Sequence, residues 1–159
     1  MKRLVLSAIL SVLAAAAFAQ GTNIALGGID ADPDAPVEIS AENLAVDQES
    51  GAAVFSGNVV IGQGELRISA GQVEVVYGET GSDIDRLTAT GGVTFVTPET
   101  AAEAQRADYN LADQQLVLTG EVLLTQGQSA ISAERMTVDL ESGNAVMEGR
   151  VRTVLQQGQ

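Results

Sequence analysis

The chain has 159 residues, 45% of them hydrophobic and only 3% aromatic, with 21 acidic side chains against eight basic ones and a net charge of −13. It contains neither histidine nor cysteine, which removes the commonest general base, the thiol nucleophile, any disulfide framework and most transition-metal sites. So acidic a surface repels nucleic acid and anionic headgroups, and bulk charge attraction to an anion is excluded as a basis for binding.

Residues 1–19 read as a secretory signal. Lys2 and Arg3 supply the charged start, Leu4 to Ala16 the apolar core, and Ala17-Phe18-Ala19 small residues for cleavage before Gln20. The apolar run falls short of the roughly 20 residues that cross a bilayer as a helix. Retention as an anchor is the competing reading. Cleavage leaves one domain of 140 residues, in which six arginines face 21 carboxylates, a net charge of −15.

Residues 20–36 are rich in Gly, Asp and Pro and are expected to form a mobile lead-in. Within them Asp30, Asp32 and Asp34 alternate like the start of a calcium loop. An EF-hand then requires glycine at Ala35 and glutamate at Ala41, so an acidic linker is the better reading and no metal is expected.

From Val37 onward apolar and polar residues alternate, as in strands with one buried face. The expected inward set is Val37, Ile39 and Ala41, then Leu44 and Val46, then Ala53 and Phe55, then Val59 and Ile61. The parity change between Ala41 and Leu44 calls for a bulge or a corner. Residues 47–51 read as a turn, echoed at 139–144.

A pattern recurs along the whole stretch. Phe55-Ser56-Gly57-Asn58-Val59 returns as Thr90-Gly91-Gly92-Val93, Leu118-Thr119-Gly120-Glu121-Val122 and Met147-Glu148-Gly149-Arg150-Val151, its glycines at 57, 91, 120 and 149. Ile39-Ser40-Ala41, Ile68-Ser69-Ala70, Ala102-Glu103-Ala104 and Ile131-Ser132-Ala133 precede them, and an insertion of five residues around 78–85 absorbs the one misfit. The sequence therefore predicts four repeats of about 29 residues, each stacked on the next. The glycines mark bends where a side chain would obstruct close approach.

Aligned on the repeat, Phe55, Ala89, Leu118 and Met147 share a column. So do Leu44, Val73, Ala107 and Met136; Val46, Val75, Tyr109 and Val138; and Ile61, Phe95, Leu124 and Thr153. These columns form an apolar lining, with Glu38, Glu42, Arg67, Glu74, Arg135 and Glu148 between them. Residues 101–107 have helix propensity alone, but their place in the repeat predicts strand.

No catalytic constellation emerges. The carboxylates fall on the outward parity or in turns, Gly91-Gly92 and Gly62-Gln63-Gly64 precede no helix start, and Ser56, Ser69 and Ser132 have no activating partner. Neither an enzyme nor a cofactor is expected.

Pro36-Val37-Glu38-Ile39-Ser40-Ala41, the stretch from Val54 to Gly64, Ile68-Ser69-Ala70, Asp108-Tyr109-Asn110-Leu111, Val117-Leu118-Thr119-Gly120 and Arg150-Val151-Arg152-Thr153-Val154-Leu155 together resemble the LptA (OstA) family of lipopolysaccharide-export proteins. The resemblance covers residues 36–155. It implies an all-β, slightly twisted, half-open β-jellyroll at residues 37–155, followed by a short tail at 156–159. It also implies a periplasmic bridge whose apolar groove holds lipid A acyl chains. The bridge assembles head to tail through terminal edge strands and joins LptC at the inner membrane to LptD at the outer one. Groove positions carried over from the family fall on Val37, Ile39, Phe95, Tyr109 and Leu111; Phe55 and Leu118 join them from the inward columns. Two departures stand out: the sequence ends at Gln159 without a longer polar tail, and its acidity offers the sugar phosphates no evident dock.

Two other readings share the pattern: an LptC-like export component, and a secreted structural β-solenoid with a filled core. Ala41, Ala70, Ala89, Ala107 and Ala145 among larger inward residues predict room for a ligand and favour the groove.

Overall fold

The computed structural model describes residues 22–25 and 35–155. The signal segment at 1–19, the aspartates at 30, 32 and 34, and the tail at 156–159 lie outside the described residues. Among the described residues eleven strands run in order: β1 (Thr22–Ala25), β2 (Glu38–Ser40), β3 (Asn43–Val46), β4 (Ala53–Gln63), β5 (Leu66–Tyr77), β6 (Ile84–Val96), β7 (Thr100–Asn110), β8 (Gln115–Gln126), β9 (Ser129–Asp139), β10 (Asn144–Glu148) and β11 (Arg152–Leu155). All pair antiparallel in one open sheet, ordered β1-β10-β9-β8-β7-β6-β5-β4-β2, with β3 also on β4 and β11 also on β9.

Every long strand bends at its middle, and the bends explain the glycine motif. Gly57-Asn58, Gly91-Gly92, Gly120-Glu121 and Gly149-Arg150 each place two successive residues at positive φ. The first three pairs stand as bulges where the register shifts. The strand opposite each bulge skips a residue, so its inward parity flips, at Ala70/Val73, Ala104/Ala107 and Ala133/Met136. The change expected between Ala41 and Leu44 is the first of this series: β2 and β3 are the two halves of one bent strand along β4.

The bends divide the sheet into two leaves. Across the first leaf the register aligns Leu44, Phe55, Val73, Ala89, Ala107, Leu118, Met136 and Met147 in one row, merging two columns of the repeat. Beside it run Val46, Ala53, Val75, Leu87, Tyr109, Leu116, Val138 and Ala145. Across the second leaf run Ile39, Ile61, Ile68, Phe95, Ala102, Leu124, Ile131 and Thr153. Both leaves feed a single hydrophobic core. Burying one leucine or phenylalanine of such a row contributes about 1.5–3 kcal/mol.

The turns follow their sequence signatures. The Asp47 carboxylate accepts from the amides of Glu49 (2.8 Å) and Ser50 (3.1 Å), and Asp139 accepts from Ser142 at 2.9 Å. Gly51 and Gly143 close the two turns at φ near 70°. Residues 101–107 are strand, as their place in the repeat required. One element departs from expectation. Within the lead-in read as mobile, Thr22–Ala25 forms β1 and pairs with β10; four residues are too few for alternation to announce a strand.

Candidate functional site

Among the described residues, the inward rows are the extended feature that residue chemistry and fold single out together. Four of the seven residues expected in the groove, Val37, Ile39, Phe55 and Leu111, are half-buried at the margins of the core. Phe95 and Leu118, at 0% exposure, and Tyr109, at 4%, are buried within it. The room expected from the alanines is closed in this structure. Ala70, Ala89, Ala107 and Ala145 are themselves buried, small side chains that let facing leaves approach closely, whereas Ala41, expected inward, is exposed at the corner between β2 and β3.

The closure does not run the length of the sheet. Leu44 and Val46 continue the two rows of the first leaf onto β3, yet they are 57% and 63% exposed. With Val37 and Ile39 on the other leaf and Phe55 beside them, they form an apolar mouth at the β2–β3 end. At the far end the same rows finish on Met147 and Ala145, both fully buried, where β1 lies along β10. The first-leaf rows are therefore covered at the β10 end and uncovered on β3, while the second-leaf row ends on exposed Thr153 of β11. Water against the Leu44 and Val46 side chains is unfavourable, and an unfilled apolar edge of this kind invites a ligand or a partner.

Polar groups interrupt the interior along one margin. Gln63, Thr97 and Thr100 are buried at the ends of second-leaf strands. The Tyr109 hydroxyl, on the first leaf, donates to Gln63 Oε1 at 2.9 Å, and Gln63 Nε2 donates to the Ala35 carbonyl at 3.3 Å. Burial holds the Tyr109 phenol above its ordinary pKa, so it remains a neutral donor through the physiological range. Sequence reasoning missed Gln63, although its inward parity after Val59 and Ile61 was the available signal.

The outer surface carries paired polar side chains instead. Asn58 bonds Glu42 (2.5 Å), Gln105 bonds Glu121 (2.7 Å) and Arg150 bonds Glu134 across successive bends. Asp108 accepts from both Arg106 and Thr88, and the Arg106 hydrogen bond is the main reason its carboxyl sits below the ordinary range. These are solvated structural contacts, each worth little. Among the described residues no cluster of three metal-ligating side chains occurs.

A single all-β sheet folded onto an apolar interior, its lining left uncovered on β3, suits a carrier or scaffold. Comparison with known proteins makes the class specific. Residues 38–144 match the family described as LptA/(LptD N-terminal domain) LPS transport protein, and the chain belongs to this family. It is 30% identical over 156 residues to an uncharacterized protein of Rhizobium meliloti (strain 1021), covering 91% of this chain and 84% of that one. It is 27% identical over 115 residues to the lipopolysaccharide export system protein LptA of Escherichia coli (strain K12), covering 69% of this chain and 62% of that one. The fold is similar to the crystal structure of LptH of Pseudomonas aeruginosa, the LptA-homologous periplasmic component of a lipopolysaccharide transport device. The TM-score is 0.71 at 19% identity, over 80% of this chain and 99% of that one. The family is one of transport components, not enzymes.

Proposed function

We propose that this protein is a periplasmic bridge carrying lipopolysaccharide from the inner to the outer membrane. Its half-open jellyroll of four repeats takes lipid A acyl chains between the two leaves. The observation that carries the reading is the uncovered run of inward apolar residues at the β2–β3 end, Leu44 and Val46 above all. A permanently filled structural solenoid would have no reason to leave these two rows open. Family membership supports both the transport role and a periplasmic location.

The physics of such a task fits an acidic chain. Desolvating an acyl chain of a dozen carbons is worth on the order of 10 kcal/mol gross, at about 0.8 kcal/mol per methylene. Most of this is offset here, because the leaves first give up their contacts with each other. Hydrocarbon then replaces hydrocarbon, so the net affinity is modest. A cargo that must be handed on requires that.

The two ends of the open sheet supply the means of assembly. β2 and β3 border one end, β11 and β1 the other, and backbone groups on such edges can pair with another strand. In this reading one end docks LptC, the other LptD, and copies of the chain join head to tail between them. The test is mass spectrometry of lipid recovered from the exported protein after exposure to lipopolysaccharide. Stoichiometric lipid A supports the proposal, and protein that never retains lipid under these conditions counts against it.

A further inference from the structure

The buried polar margin has no part in holding hydrocarbon, and its placement is specific. Gln63 is the last residue of β4 and Tyr109 the penultimate residue of β7, so each stands at the end of a strand far from its bend. Their hydrogen bond, 46 residues apart in sequence, joins one leaf to the other across the side opposite the bends. Thr97 and Thr100 lie on the same second-leaf margin, and the Thr100 hydroxyl is a buried side-chain group without a hydrogen-bond partner. A margin meant to stay shut would be cheaper to build from aliphatic residues, because buried polar groups are costly when imperfectly paired. A margin that opens to water gains by having polar groups there.

We propose that the Tyr109–Gln63 hydrogen bond is a latch that holds the two leaves together in the ligand-free chain and breaks when an acyl chain enters between them. The inference rests on the groove reading for its ligand, but the latch itself can be read without one. One neutral hydrogen bond suits the role: it biases the closed state without locking it. When the leaves part, Gln63 and the phenol regain water, and the second N–H of the carboxamide is free for a carbonyl of the incoming amphiphile.

The chain's lack of cysteine makes the test direct. Spin labels at Glu65→Cys and Ala112→Cys, two exposed sites just beyond Gln63 and Tyr109, report the separation of the leaves. The labelled chain without ligand is expected to show one short distance. Tyr109→Phe keeps the ring and strands Gln63 Oε1, and Gln63→Leu strands the phenol. Each is expected to raise the open fraction by roughly tenfold, and the double variant, with both partners apolar, to restore closure. Singles that keep the parent distance distribution overturn the latch. Binding of dansyl-undecanoic acid is followed in the same samples. Widened singles that bind no probe uphold the latch and remove the groove reading, whereas equal probe binding with unchanged distances does the reverse.

Discussion

Gly149 sits so close to Glu134 that a Cβ added to the glycine would lie 2.7 Å from the Cβ of Glu134. Gly120 stands in the same relation to Gln105, at 2.9 Å. Both glycines also hold φ near +80°, so a substitution there meets strain and collision together. Gly149→Ala is expected to cost about 2–4 kcal/mol in urea unfolding. Gly92→Ala, at a similar φ but with nothing near its Cβ, is expected to cost only about 1–2 kcal/mol. Equal costs would show that close approach of the strands is not what fixes the bend.

The centre and the mouth of the interior should respond differently to truncation. Phe95 is fully buried, and Phe95→Ala is expected to lower stability by about 3–5 kcal/mol. Leu44→Ser, at an exposed position of the same lining, is expected to change stability by about 0.5 kcal/mol or less. It should nevertheless reduce acyl-probe binding severalfold. Loss of stability without loss of binding at Leu44 would contradict the mouth.

Much of this organisation was legible in the sequence. Period-two alternation gave the strands and their inward faces, and the recurring glycines gave the bends. Two things were hidden. Alternation says which face is apolar but not what covers it, so the closure over Phe95 and Leu118 had no sequence signature. The Tyr109–Gln63 contact joins strands that are not neighbours in the sheet, and no local pattern reports such a pair. Only the misplaced polarity of Gln63, Thr97 and Thr100 on inward positions hinted at it.

Stability should depend on pH at both extremes, for opposite reasons. Asp47 and Asp139 sit below their ordinary carboxyl pKa, chiefly because the Ser50 and Ser142 amides donate to them. A lowered folded pKa contributes stability that is present above the unfolded value and lost as pH falls through the folded one, so the melting temperature should drop below about pH 4. Tyr109 is raised by burial; its contribution is present below the unfolded value and lost as pH rises through the folded one, above about pH 10. Asp139→Asn should flatten the acid limb and Tyr109→Phe the alkaline limb. Limbs unchanged in these variants would assign the titration elsewhere.

Assembly should be controlled by β11. Adjacent residues of a strand point their N–H groups to opposite sides, so of Thr153 and Val154 one donates toward β9 and the other toward the free edge. Proline at the edge-facing position should abolish concentration-dependent oligomers with little loss of stability; at the other it should weaken the fold. Light scattering across a concentration series distinguishes the two. A parent protein that stays monomeric throughout would remove the head-to-tail proposal.

The central claim is that acyl chains lie between the leaves, and strand parity makes it testable residue by residue. A photo-crosslinking side chain is placed in turn at Ile39 and Phe55, which face the interior near the mouth, and at Ser40 and Ser69, which are exposed on the outer face. After irradiation in the presence of lipopolysaccharide, adducts are predicted at Ile39 and Phe55 and not at Ser40 or Ser69. Adducts on both faces alike, or none at the two inward positions, would contradict the account.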